Sequence, residues 1–106
     1  MKIFNLSRGE GKTMRMLYAS EFNNAPIICT TDSQKHYLMD MAKSIKLSIP
    51  EPISVSDIVC NRIKGRKFNN VLVDEMESVL REVLRFSINA DMIGGTITTD
   101  EENSNG

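Results

Sequence analysis

Two rhythms of apolar positions alternate along the chain. Short apolar runs occur at Lys2 to Leu6, Ala25 to Thr30, Asn70 to Val73 and Ile93 to Thr99. Each is too short for a helix and predicts a strand. Asn70 to Val73 runs on without polar alternation, which predicts a strand buried on both faces. Pro26 stands near the start of the second run and suits an edge strand better than a central one. Between the runs the spacing turns helical. Met14, Leu17, Tyr18 and Phe22 predict a helix over Lys12 to Phe22, closed by Asn23-Asn24. Leu38, Met41, Ala42 and Ile45 predict a second helix, capped by Asp32 or Ser33. Pro50 and Pro52 keep Ile49 to Val55 extended, where a short extra strand fits. Ser54 or Ser56 then starts a helix through Ile58, Val59 and Ile63, closed by Lys64-Gly65-Arg66-Lys67. Met76, Val79, Leu80, Val83 and Leu84 predict an amphipathic helix over Glu75 to Phe86.

Strands alternating with helices predict an α/β fold: a three-layer parallel sheet with helices on both faces. The 106 residues suffice for one domain, expected over 1–100, with the polar stretch 101–106 as a disordered tail.

Composition narrows the class. The net charge of −1 at pH 7 gives no global basic excess of the kind that marks nucleic-acid binders. Cys29 and Cys60 lie in apolar runs without CxxC spacing. With His36 the lone histidine, a zinc site is not expected. This cysteine usage suits a reduced, cytoplasmic protein. No run is long enough to span a membrane, and Met1-Lys2-Ile3-Phe4 does not open a signal peptide.

The candidate chemistry lies in two segments. Ser7-Arg8-Gly9-Glu10-Gly11-Lys12-Thr13 joins the first predicted strand to the first predicted helix. Small residues there let backbone N–H groups curl around phosphate oxygens, and the helix N-terminus adds partial positive charge. Lys12 supplies a cation for the outer phosphates, and Thr13 a hydroxyl for Mg²⁺. The strict phosphate-loop pattern G-x-x-x-x-G-K-(S/T) would place its first glycine at position 6, which is Leu6; Gly9 is an additional glycine within the loop. The second segment, Val71-Leu72-Val73-Asp74-Glu75, delivers two adjacent carboxylates to the end of a strand, where ligands bind in open parallel sheets. Asp74 suits Mg²⁺ as a hard oxygen ligand. Glu75 suits the activation of an attacking water. Acidic residues also favour the positive end of the helix that follows, without any ligand.

Together these residues resemble the P-loop NTPases, in particular the RecA-like branch that includes helicase motor domains and viral terminase motors. Arg8 to Thr13 matches the Walker A segment and Val71 to Glu75 the Walker B segment. The resemblance also extends to small P-loop proteins of bacteriophages. It implies a RecA-like core with the predicted strands in the order 1-4-3-2. It implies ATP or another nucleoside triphosphate as ligand, held by Arg8, Gly9, Glu10, Gly11, Lys12 and Thr13. It further implies Mg²⁺ on Thr13 and Asp74, with Glu75 and Lys12 as catalytic groups. Thr98 or Thr99 would sense the γ-phosphate. Typical motor domains are longer and carry a fifth strand.

Three functions compete on this reading. The first is a Mg²⁺-dependent NTP hydrolase, with a role in DNA metabolism. The second is a non-catalytic nucleotide-binding module acting on a protein partner such as a host factor. The third, a nucleoside kinase, ranks last because the cysteine pair of the thymidine kinase zinc lobe is missing. Homo-oligomers come into play if Arg62, Arg66, Arg81 or Arg85 acts as a finger on a neighbouring subunit. The basic turn Lys64 to Lys67 gives nucleic-acid contact weak support. Met14, Met16, Met39, Met41, Met76 and Met92 read as flexible core filler.

Overall fold

The computed structural model describes residues 11–98. Lys2 to Leu6, Arg8, Gly9, Glu10, Thr99 and the tail 101–106 lie outside the described residues. In chain order the elements are α1 (Lys12–Asn23), β1 (Ile27–Cys29), α2 (Asp32–Ser44), β2 (Ile53–Ser54), α3 (Val55–Val59), β3 (Leu72–Val73) and α4 (Met76–Ile88). The fold is mixed α/β with a small parallel sheet in the order β2-β1-β3.

Strand register explains how the core divides. Ile28 faces Ile53 on one side and Val73 on the other, while Ile27 faces Leu72. Successive side chains point to opposite faces of a sheet. Ile27 and Cys29 therefore join Met16, Leu17, Leu38 and Ala42 of α1 and α2. Ile28 and Ile53 join Val55 and Val79 of α3 and α4. Leu17, Ile27, Leu38, Ile53 and Val55 are fully buried. Each such side chain contributes about 1.5–3 kcal/mol on burial.

Helix ends follow local chemistry. Asn24, Lys46 and Asn61 adopt positive φ. Behind each, the next backbone N–H reaches back five residues, from Ala25 to Ser20, Leu47 to Ala42 and Arg62 to Asp57. This left-handed stop satisfies carbonyls that the helix leaves open. It also ends α3 at Val59, short of the expected Ile63. Thr31 caps α2 in place of Asp32 or Ser33; its extended backbone lets Oγ1 accept the Gln34 N–H at 3.1 Å.

Other expectations need correction. β1 is the central strand, not an edge. Pro26 precedes the ladder, and its carbonyl still accepts the Leu72 N–H at 3.0 Å. β3 is half-buried rather than enclosed on both faces. On α1, Met16, Leu17 and Ser20 face the core while Tyr18 and Phe22 point outward. On α4, Val79 is buried, but Met76 and Leu80 are exposed. The expected strand at Ile93 to Thr99 does not form over 93–98, where Ile93 and Ile97 are 101% and 82% exposed. Gly94-Gly95 has a high backbone entropy to lose there, and no strand among the described residues pairs with this segment. The four-strand order 1-4-3-2 is not shown: its first strand lies outside the described residues, which form three strands, and within them the neighbouring placement of Ile27–Cys29 and Leu72–Val73 agrees with it.

Candidate functional site

Three chain segments converge at the carboxyl end of β1 and β3. The first is the start of α1. Gly11 stands at its N-cap with φ 76, a left-handed backbone without side-chain capping. An added Cβ would meet nothing within 4 Å, so backbone conformation rather than space calls for glycine here. Lys12 and Thr13 open the helix behind it.

The second segment follows β3. The Asp74 N–H donates to the Ile28 carbonyl at 2.9 Å, extending the ladder by one residue. Its side chain is buried, with the residue 8% exposed. Glu75 then takes φ 56 as the N-cap of α4, without a side-chain capping bond. Left-handed backbone costs a residue with a side chain about 1–2 kcal/mol, and such strain gathers at functional corners. The Glu75 carboxylate is engaged instead by Lys12, whose Nζ donates to Glu75 Oε1 across 63 residues of sequence.

The third segment is the first turn of α2. Gln34 Nε2 donates to Asp74 Oδ2 at 3.1 Å, and Gln34 Oε1 accepts from the Thr30 N–H at 3.4 Å. Among the described residues, the buried Thr30 Oγ1 has no hydrogen-bond partner.

Electrostatics differ between the two carboxylates. Burial, then the charge of Glu75, raises the Asp74 carboxyl above its ordinary range, while Lys12 pulls the other way. A buried carboxylate costs the fold free energy when ionised. Nearby, burial and the charges of Asp74 and Asp57 push the Cys29 thiol up to about 11. Cys29 is therefore a protonated core group, not a nucleophile.

The hard oxygens of Thr13 and Asp74 suit Mg²⁺ in kind, and an enclosed carboxylate with a raised proton affinity is one that a cation would stabilise. No group of three or more His, Cys, Asp or Glu side chains that could hold a metal ion by themselves occurs among the described residues. Asp74→Asn is expected to raise the melting temperature by a few degrees at pH 7, because it removes a charge that burial penalises. The sign follows from linkage: a carboxyl raised in the folded state binds protons more tightly than in the unfolded chain. The gap between wild type and variant should close as pH falls through the carboxylate range. Thermal melts between pH 4 and 8 check this, and an equal gap at every pH would contradict it.

A second polar cluster was not anticipated. Asp57, 5% exposed, accepts from the Ser54 N–H, Lys35 Nζ and Arg62 Nε at 3.0, 3.0 and 2.9 Å. Ser54 Oγ accepts the Asp57 N–H in return, a reciprocal capping box for α3. The spacing Ser54-x-x-Asp57 is the sequence signal that could have found it.

The candidate finger arginines all make ion pairs within the chain. Arg62 is held by Asp57 and Asp32, and Arg66 by Glu51. Arg81 pairs with Glu77 and Arg85 with Glu82. Arg66 also lies 4.8 Å over the Phe68 ring, so the basic turn is partly neutralised and packed. Thr98 is exposed and outside any strand. No helix of the described residues is long and apolar enough to cross a membrane.

No family model, no characterised protein and no solved structure matches the chain.

Proposed function

We propose that the chain binds a nucleoside triphosphate, with ATP as the first candidate, and hydrolyses it with Mg²⁺. The observation that carries this reading is the meeting of Lys12 with Glu75 beside the buried Asp74. Two segments 63 residues apart supply a lysine at a glycine-initiated helix start and a carboxylate pair at a strand end. Core packing does not require that pairing, since Lys12 and Glu75 are 30% and 47% exposed.

Each residue has a role on this reading. The first N–H groups of α1 and the Lys12 ammonium receive the β- and γ-phosphates. Thr13 and Asp74 would hold Mg²⁺, which when bound would neutralise phosphate charge. Phosphate drawn to Lys12 competes with Glu75 for the ammonium and releases the Glu75 carboxylate. Glu75 then accepts a proton from the attacking water as the water oxygen bonds to the γ-phosphorus. The bond to the bridging oxygen breaks, and ADP and phosphate depart.

A second reading, a non-catalytic nucleotide-binding module, draws on the same ion pair: while Lys12 holds Glu75, the base is occupied. Glu75→Gln separates the two. Hydrolysis predicts that ATP binding persists and that phosphate release falls at least about 100-fold, within the span for general acid–base groups. The non-catalytic module predicts no turnover in wild type. Titration calorimetry with ATP and ADP, with and without Mg²⁺, tests the shared premise. Absence of binding at millimolar nucleotide overturns both.

A further inference from the structure

The α2 start departs from ordinary capping in one respect. Thr31-x-x-Gln34 has the spacing of a capping box, in which the fourth side chain reaches back to the N-cap N–H. Gln34 instead reaches one residue further, to the Thr30 N–H. That turn places its other amide atom, Nε2, against Asp74 Oδ2. In α3 the same box closes in the usual way with a carboxylate, Asp57. A glutamate at 34 would serve the helix start better, because negative charge favours a helix N-terminus. It would also set a second carboxylate against the buried Asp74. The amide accepts from Thr30 and donates to Asp74 at once, which an ionised glutamate at this position could not do.

We propose that Gln34 is a positioning residue for the Mg²⁺–nucleotide site, fixing the plane of the Asp74 carboxylate before the metal arrives. This rests on the nucleotide reading above. The bridge ties the ends of β1 and β3, the two strands whose carboxyl ends carry the site. The donor on Oδ2 holds the carboxylate in one orientation, while the Thr30 N–H anchors the same amide from the other side. Without the donor, Asp74 is freer to rotate, which weakens a metal ligand. The loss of a partner that orients a ligand typically costs 10–100-fold in metal affinity.

The test compares wild type with Gln34→Met, which keeps side-chain length and removes both hydrogen bonds. Gln34→Ala serves as a second variant, since alanine is a strong helix former and the capping bond uses only the backbone N–H of residue 34. Calorimetry measures ATP affinity across a Mg²⁺ series and in EDTA. The expected result has two parts. Affinity in EDTA is unchanged, and the Mg²⁺ concentration for half-maximal enhancement rises about tenfold. A merely structural role would lower affinity equally with and without Mg²⁺. Wild-type Mg²⁺ dependence retained in both variants overturns the positioning role alone. A wild type that shows no Mg²⁺-dependent binding overturns the nucleotide reading, and this proposal with it.

Discussion

Lys12→Ala is expected to weaken Mg²⁺-dependent ATP binding at least about 100-fold, a loss of roughly 2.7 kcal/mol. The loss of a charge-assisted hydrogen bond to phosphate is of that order. The stability of the variant should barely change. Lys12 and Glu75 are 30% and 47% exposed, and ion pairs of that kind contribute between about 0 and 1 kcal/mol. The two measurements therefore decouple: calorimetry loses the ligand while the melting temperature stays within a few degrees. Lys12→Arg sharpens the point, since it keeps the pairing with Glu75 but brings a broader, planar head into the α1 start. Weak binding in Lys12→Arg with a normal melt would assign Lys12 to a ligand rather than to the fold. Wild-type affinity in Lys12→Ala would remove the phosphate loop from consideration.

The parts of this fold legible from sequence are those with a strong period. α1, α2 and α4 follow from apolar spacing, and the stop at Asn24 from a residue that tolerates left-handed backbone. The parallel pairing of β1 with β3 is the portion of the expected order that matches. Failures arise where one residue can serve two local geometries. Asp32 looks like a cap, yet it is the first helical residue of α2, and its carboxylate instead accepts from the Ser54 and Ser56 hydroxyls at 2.6 and 3.2 Å. Pro26 looks like an edge marker because it lacks an N–H, but the central position uses its carbonyl. Ile93 to Thr98 has β-branched residues without a ladder among the described residues, and propensity without a partner makes no strand.

The candidate site was legible in part for a related reason. Lys12, Asp74 and Glu75 stand out because their neighbours are diagnostic: glycine before the lysine, an apolar run before the carboxylates. That Lys12 touches Glu75 is a tertiary fact, which requires α1 and β3 to be brought together. Gln34 carries no such local mark. Its importance comes from the Thr30 N–H and Asp74 Oδ2 lying on either side of it. Patterns of apolar positions find cores, whereas a bridging amide is visible only once the strands it bridges are adjacent.

Asp57→Ala is expected to destabilise the fold by about 3 kcal/mol, the lower end for breaking a buried ion pair. Three donors lose their acceptor at once: the Ser54 N–H, Lys35 Nζ and Arg62 Nε. Burial alone would raise the Asp57 carboxyl, but the Ser54 N–H, Arg62 and Lys35 outweigh it and hold it well below the usual carboxylate range. The linkage then runs opposite to that of Asp74. A carboxyl lowered in the folded state contributes stability that is fully present above its unfolded value, near pH 4. That stability is lost as pH falls through the folded value. Urea denaturation at pH 7 should show the full loss, with a drop in melting temperature of roughly 10–20 °C for a domain of this size. Below about pH 4 the difference from wild type should shrink, because the unfolded chain takes up the proton before native Asp57 does. Asp57→Asn keeps an acceptor for the Ser54 N–H while removing the charge, so its stability should fall between the two. Because α3 packs Val55 beside Ile53, Ile28 and Val79, losing this cap loosens the cluster that supports one face of the sheet. Lys12 and Glu75 lie outside that cluster, so an Asp57→Ala chain still folded at low temperature should bind ATP as wild type does. A loss of affinity in that folded state would mean that the two carboxylate centres of the sheet are coupled.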